Sequence, residues 1–135
     1  MYKYSQKSLD KLYTTDLRLR YIFMKAIEVM DISILEGHRD EETQNHYYES
    51  GTSKLKWPHS KHNSNPSKAI DAVPYPIDYE KWKKDPSLLF YLGGLIQGIA
   101  HSLGYKIRWG RDWDSDLDFN DQTFNDFAHF ELCES

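Results

Sequence analysis

The chain has 135 residues, a formal net charge of −4 and 39% hydrophobic residues, which is the size and composition of one folded domain. This composition argues against intrinsic disorder, and a single cysteine excludes a disulfide framework or a cysteine-based zinc ribbon. The excess of acid lies between Asp112 and Asp126, a stretch with six aspartates and no lysine or arginine. Nucleic acid is therefore not an expected partner, because its binding needs a basic face, whereas a cation is compatible with this charge.

The first half of the chain is predicted to be mostly helical. Helices are expected over about 5–12, 15–30 and 40–48. Thr15 and Asp40 are the expected N-caps of the second and third, and the second shows the apolar spacing of one helical face. An alternating strand is expected at 32–35, between the second and third helices. Residues 52–68 are polar and contain two prolines, which is typical of a long and often functional loop.

The second half is predicted to contain three short strands and one long helix. The strands are expected at 69–73, 105–109 and 127–132, and the helix at 85–103. The apolar part of that helix is too short and too rich in glycine to cross a membrane, so no membrane insertion is expected. The pattern favours a single α+β domain over 1–135, with a small antiparallel or mixed sheet and helices packed on one side.

Three polar side chains in these segments need partners. His62 lies in the long loop, Asp71 lies in a strand between two apolar residues, and His129 lies in the apolar last strand. Two histidines and one carboxylate match a catalytic zinc site, which has three protein ligands and a water. A histidine that is only hydrogen-bonded within the core remains the alternative. The other histidines compete as ligands on composition alone: His38, His46, His59 and His101.

Two carboxylates flank His129 at informative spacings. Asp126 lies three residues before His129, where it is placed to take a proton from a water beside the metal. Glu131 lies two residues after His129 and shares its face of the strand, so it is placed to orient the imidazole. Both positions are compatible with metal-assisted hydrolysis.

Four separated motifs resemble one family of zinc peptidases. Residues 60–62 read Ser-Lys-His, 69–75 read Ala-Ile-Asp-Ala-Val-Pro-Tyr, 108–114 read Arg-Trp-Gly-Arg-Asp-Trp-Asp, and 126–129 read Asp-Phe-Ala-His. Their order and spacing are similar to those of the D-alanyl-D-alanine carboxypeptidases and L-alanyl-D-glutamate endopeptidases that cut bacterial cell-wall peptides, among them many phage endolysins. The likeness extends over 37–132 and implies the hedgehog/DD-peptidase-like fold.

The resemblance implies a role for each matching residue. His62, Asp71 and His129 would bind Zn²⁺, and Asp126 would be the general base of amide hydrolysis. Arg39 matches an arginine that holds the substrate or the developing oxyanion, although a surface salt bridge is the alternative reading of this residue. Gln44 matches a polar position that is often paired with this arginine, and it is expected to bind substrate. Ser60 is expected to bind a substrate carboxylate or to brace the loop.

The acidic stretch leaves two readings open. Its alternating aspartates resemble the start of a calcium-binding loop, but Leu117 and Thr123 stand where such a loop has glycine and glutamate. The stretch is therefore either a solvated loop or an accessory Ca²⁺ site. The residues of that candidate site are Asp112, Asp114, Asp116 and Asp118.

The resemblance implies a phage endolysin that cleaves peptidoglycan, at the L-alanyl-D-glutamate bond, and causes host lysis. A D-alanyl-D-alanine carboxypeptidase and a non-catalytic, zinc-stabilised binding module are the alternatives. The N-terminus lacks a secretory signal. We therefore expect the protein to be made in the host cytoplasm, released with the help of a holin, and active in the periplasm and cell wall. We also expect a monomer with no separate wall-binding domain.

Overall fold

The described part of the chain, residues 1–112 and 126–133 of a computed structural model, contains five α-helices and four strands. The helices are α1 (Gln6–Leu12), α2 (Leu17–Ala26), α3 (Glu41–Glu49), α4 (Tyr79–Lys84) and α5 (Ser87–Ser102). The strands are β1 (Ile32–Glu36), β2 (Ala69–Pro74), β3 (Ile107–Gly110) and β4 (Asp126–Leu132). A short 3₁₀ helix, Lys61–Asn63, lies in the long loop before β2. The predicted α+β class is confirmed.

The four strands form one sheet in the order β1-β2-β4-β3, and every neighbouring pair is antiparallel. Of the two arrangements left open, the antiparallel one is therefore correct. Helices α1, α2 and α5 pack on one face of this sheet and bury a continuous apolar core with it. None of the described helices is long and apolar enough to cross a lipid bilayer.

Alternation along the two central strands separates the core from the polar groups. Ile70 and Ala72 of β2 and Phe130 of β4 are fully buried in the core on the helical face. Asp71 and His129 alternate with these residues and so project from the opposite face. Burial of the apolar residues fixes the register, because a slip of one residue would move them to the other face. The core thus determines where the polar side chains lie.

The structure differs from the prediction at the start of α2. Its N-cap is Asp16, whose carboxylate accepts a hydrogen bond from the Arg18 backbone N–H at 2.9 Å. The Thr15 hydroxyl, expected to cap this helix, instead donates to the Leu12 carbonyl at 2.6 Å. The helix also ends at Ala26, before Met30. Neighbouring residues with similar capping chemistry could not be ranked by sequence alone.

Helix α4 was not predicted, because six residues are too few to show a helical period. Asp78 caps it by accepting from the Lys81 backbone N–H at 3.0 Å. Its one buried residue, Trp82, packs with Val73 and Leu89 in a second, smaller apolar cluster. This cluster lies beside β2 and closes one end of the sheet.

The turn between α1 and α2 is hydrogen-bonded to the segment after β1 and to the end of the long loop. The Thr14 carbonyl accepts from the Ser67 backbone N–H at 2.9 Å, and the Ser67 carbonyl accepts from the Asp16 backbone N–H at 2.8 Å. The Thr14 hydroxyl accepts from the His38 backbone N–H at 2.8 Å. The N-terminal residues therefore hold the segments that precede and follow the 3₁₀ helix.

Close packing between α5 and β3 gives a test of this core. A Cβ atom at Gly93 would lie 2.6 Å from the ring of the buried Trp109, whereas a Cβ at Gly94 would meet no atom within 4 Å. We expect Gly93→Ala to lower the free energy of unfolding by about 1–3 kcal/mol through overpacking. Gly94→Ala, the matched control, should leave stability unchanged or raise it by up to about 1 kcal/mol through helix propensity. Urea unfolding measures both, and equal effects would contradict this packing.

Candidate metal centre and active site

Three donor side chains converge on the polar face of the sheet. His62 comes from the 3₁₀ helix, Asp71 from β2 and His129 from β4, and Asp71 and His129 are directly opposite each other in the strand register. One ligand atom from each side chain lies within 4.8 Å of the other two. Among the residues that the structure describes, no other histidine belongs to such a group of three. The competing histidines are therefore set aside as ligands.

The spacing of these donors fits a tetrahedral metal. Asp71 Oδ1 lies 3.2 Å from His62 Nε2 and 3.2 Å from His129 Nδ1. Ligands bound to zinc at about 2.0–2.1 Å in a tetrahedron are separated by about 3.3 Å along each edge. The two measured distances match two edges of that tetrahedron. The nitrogen and oxygen donors are also those that zinc prefers, so the residues present fit the ion.

The other nitrogen of each ring is held by an acceptor. His62 Nδ1 donates to the Gly37 carbonyl at 2.7 Å, and His129 Nε2 donates to Glu131 Oε1 at 2.8 Å. These bonds leave Nε2 of His62 and Nδ1 of His129 directed toward Asp71. Such partners fix the tautomer and orientation of metal-binding imidazoles. Glu131 thus lies where its spacing from His129 predicts.

The electrostatics of the cluster favour a bound cation. Burial would raise the pKa of Asp71, but the charges of His62 and His129 and their hydrogen bonds outweigh it and hold this pKa well below its usual range. Burial lowers the pKa of His129, but hydrogen bonds with Asp71 and Glu131 outweigh it and raise the pKa to about 9. Without a metal, His129 therefore stays protonated between the carboxylates of Asp71 and Glu131. A divalent ion would displace the proton on Nδ1.

Asp126 lies at the start of β4 and lines the same cleft. Burial raises its pKa, and the nearby charge of Asp71 raises it further. One carboxylate oxygen accepts from the Ala128 backbone N–H at 3.2 Å. The strand register shifts here, and Asp126 pairs with Gly110, where a Cβ atom would lie 2.2 Å from the Asp126 carbonyl oxygen. Glycine at 110 is thus needed for this approach.

Arg39 is 8% exposed and is held by several groups at the wall of the cleft. Its guanidinium forms two hydrogen bonds with Glu36, at 2.9 and 2.8 Å, and one with Gln44 Oε1 at 2.8 Å. It also lies 4.7 Å from the centre of the Tyr47 ring and 3.7 Å from Asp71 Oδ2. The predicted alternative, a salt bridge, is therefore present, but it is buried rather than on the surface.

Gln44 lies behind Arg39 rather than in the lining of the cleft. It is fully buried, and its amide group donates to Ser53 Oγ at 3.0 Å and to the Leu55 carbonyl at 2.5 Å. Its side chain thus connects Arg39 to the loop that forms one wall of the cleft. The bond with Arg39 is the pairing expected for Gln44, whereas contact of Gln44 with substrate stays a prediction.

Ser60 is buried at the start of the 3₁₀ helix and acts as its N-cap. Its hydroxyl accepts from the His62 backbone N–H at 3.2 Å, and the Asn63 side chain accepts from the Ser60 backbone N–H at 3.1 Å. These reciprocal bonds form a capping box. Of the two roles expected for Ser60, bracing the loop is the one that these contacts support.

Four residues of the cleft were not singled out from the sequence. Glu36 faces Asp71 because a register shift in β1 brings the two residues opposite each other. Tyr47 supports Arg39, and Lys61 and Arg108 contact Glu131. The position of Lys61 between Ser60 and His62 was a signal that could have been used. The pairing of Glu36 with Asp71 and of Arg108 with Glu131 depends on the strand register and has no local signal.

The candidate calcium site lies mostly outside the described residues, which omit 113–125. Asp114, Asp116 and Asp118 fall in that gap. Asp112 is described and is fully buried, and its backbone N–H donates to the Trp109 carbonyl at 3.0 Å. The calcium hypothesis therefore stays a prediction.

The donors open into one cleft of about 710 Å³. Its lining includes His62, Asp71, His129 and Asp126, the 52–55 loop, and four cationic side chains. The cations are Arg39, Lys54, Lys61 and Arg108. The lining also includes four carboxylates, those of Glu36, Asp71, Asp126 and Glu131. A cleft of this size can hold several residues of a peptide.

Comparisons with known proteins agree with this arrangement. The model of the phage L-alanyl-D-glutamate peptidase family matches residues 1–133. The L-alanyl-D-glutamate peptidase of Escherichia phage T5 is 29% identical over 136 residues, which cover 97% of this chain and 98% of that protein. The crystal structure of the Serratia marcescens L-Ala D-Glu endopeptidase ChiX has a similar fold, with a TM-score of 0.74 and 20% identity over 97% of this chain and 90% of that one. The chain therefore belongs to the phage L-alanyl-D-glutamate peptidase family.

Proposed function

We propose that this chain is an endolysin that hydrolyses the L-alanyl-D-glutamate bond of peptidoglycan stem peptides with a bound zinc ion. The observation that carries the proposal is the convergence of His62, Asp71, His129 and Asp126 in one cleft. Membership of the peptidase family supports the reaction and the substrate.

The proposed ligands are His62 Nε2, Asp71 Oδ1 and His129 Nδ1. Bound zinc would polarise the scissile carbonyl and lower the pKa of a water to about 7. Gly37 and Glu131 orient the two imidazoles by accepting their remaining N–H groups.

Asp126 is proposed as the general base that takes a proton from the attacking water and returns it to the leaving amine. Its raised pKa suits this role, because a base is most effective when its pKa approaches the working pH. Arg39 is proposed to supply a fixed positive charge at the wall of the cleft, where negative charge develops on the carbonyl oxygen. Gln44 and Ser60 are proposed to hold Arg39 and the His62 turn in place.

Analysis of muropeptides after digestion of purified peptidoglycan tests the bond that is cut. We expect new peptides that begin with D-glutamate. Release of free D-alanine would indicate a D-alanyl-D-alanine carboxypeptidase instead. An unchanged muropeptide profile with the zinc-loaded protein would indicate a non-catalytic module and would overturn the proposal.

Removal of the metal provides a separate prediction. Dialysis against 1,10-phenanthroline should abolish release of peptides that begin with D-glutamate, because the three donors then hold no Lewis acid. Addition of about one equivalent of Zn²⁺ should restore activity, since the donors are already oriented by their partners. The non-chelating isomer 1,7-phenanthroline is the matched control. If activity persists in a sample in which metal analysis finds no divalent ion, the zinc mechanism is contradicted.

We also propose a route to the substrate. The enzyme is made in the host cytoplasm, acts as a monomer, and reaches the cell wall after a holin opens the inner membrane. The proposal is supported by the match to the phage L-alanyl-D-glutamate peptidase family. Host lysis that proceeds at the normal time without holin expression would contradict it.

A further inference from the structure

We propose that Lys61 and Arg108 are positioning residues that clamp Glu131 and thereby hold His129 in its metal-binding orientation. This inference deepens the proposed metal site and rests on it. It adds two cations that act on a metal ligand through a carboxylate.

The two oxygens of Glu131 have separate partners. Oε1 accepts from His129 Nε2 at 2.8 Å, whereas Oε2 lies 2.9 Å from Arg108 Nη2 and 3.3 Å from Lys61 Nζ. Glu131 itself is 6% exposed. One oxygen therefore orients the imidazole, and the other is held by two positive charges.

The two cations come from different parts of the fold. Arg108 lies in β3 directly opposite Glu131 of β4 in the strand register. Lys61 immediately precedes His62 in the 3₁₀ helix, and its ammonium group also donates to the Leu132 carbonyl. Lys61 thus ties the turn that carries one histidine to the strand that carries the other. The clamp connects two ligand-bearing segments that are far apart in the chain.

A clamp of this kind has a clear physical role. A buried carboxylate without compensating partners is costly, and one held by a single hydrogen bond keeps freedom to rotate. Two cations on Oε2 compensate the charge of Glu131 and restrict its rotation, so that Oε1 stays aligned with His129 Nε2. Partners of a metal-binding histidine typically contribute about 10- to 100-fold to metal affinity.

The same two cations line the cleft, so direct binding of a substrate carboxylate is the competing role. The two roles predict different measurements. Positioning affects metal affinity and the geometry of the metal ligands, even without substrate. Substrate binding affects KM and leaves the metal unchanged. The side chains of Lys61 and Arg108 are 37% and 42% exposed, so their replacement opens no cavity in the core.

The test compares full-length Lys61→Met, Arg108→Met and the double variant with wild type. Lys106→Met is the matched control, because Lys106 is exposed and lies two residues before Arg108. This substitution removes the same charge. Zinc affinity is measured by competition with a chromogenic chelator. The absorption spectrum of the Co²⁺-substituted protein reports ligand geometry, and kcat and KM are measured with the zinc-loaded enzyme.

We expect the double variant to bind zinc about 10- to 100-fold more weakly, to show a shifted Co²⁺ spectrum, and to lose kcat with little change in KM. The conservative Arg108→Lys should recover part of the affinity, and Lys106→Met should match wild type. Unchanged affinity and spectrum in the double variant would overturn the clamp, as would a raised KM alone. A wild-type protein that binds no zinc would instead overturn the proposed metal site itself.

Discussion

Asp126→Asn is expected to lower kcat by about 10²- to 10⁴-fold, the usual contribution of a general base, while the fold and the metal remain in place. The amide has the size of the carboxylate and can still accept from the Ala128 backbone N–H, which Asp126 does at 3.2 Å. What it lacks is the ability to take a proton. Burial and Asp71 raise the pKa of Asp126 in the native protein, so this proton affinity is a feature of the site.

Hydrolysis of purified peptidoglycan, zinc content and thermal unfolding should be measured together for this variant. Normal zinc content with lost activity is the expected combination. Wild-type turnover in Asp126→Asn would show that another group takes the proton. Loss of zinc would show that Asp126 serves the metal instead of the water.

Asp71→Asn is expected to weaken zinc binding by more than about 100-fold and to abolish activity at micromolar zinc. The carboxylate is the only anionic donor among the three candidate ligands, and Oδ1 lies 3.2 Å from a ring nitrogen of each histidine. Outer partners of a metal already contribute about 10- to 100-fold, so a direct ligand should contribute more. The substitution also removes the ion pair with Arg39 at 3.7 Å.

Chelator competition and activity over a range of zinc concentrations measure this effect. Asp10→Asn is the control, because it makes the same substitution at an exposed residue of α1, whose carboxylate accepts a hydrogen bond from the Gln6 side chain. Partial recovery of activity at millimolar zinc would agree with a weakened site. Wild-type affinity in Asp71→Asn would mean that the metal lies elsewhere, and the contrast with Asp126→Asn would separate ligand from base.

The positions that could be predicted from sequence are those whose partners share a motif or a strand face. Asp71 and Glu131 could be placed because alternation in a strand assigns each residue to a face. The class of the fold followed from the order of helical and alternating segments. The candidate ligands could be named because His62, Asp71 and His129 each lie in a recognisable segment.

The positions that could not be predicted depend on pairings between distant segments. Glu36 faces Asp71 only because the register of β1 shifts, and Arg108 meets Glu131 only because β3 and β4 are neighbours. The pairing of Gln44 with Arg39 was expected, but its full burial depends on how α3 packs. Each of these features concerns tertiary contacts rather than local propensity.

The attachment of the N-terminal turn to the long loop limits how this enzyme can be shortened or fused. Thr14 and Asp16 form hydrogen bonds with both backbone groups of Ser67, and Thr14 also accepts one from the His38 backbone N–H. The turn between the first two helices therefore supports the loop that carries His62. A minimal active fragment must therefore retain the turn at 14–16, although none of its residues is among the described residues that line the cleft. A fusion partner joined ahead of Tyr4 would leave these bonds intact, whereas one inserted between α1 and α2 would break them.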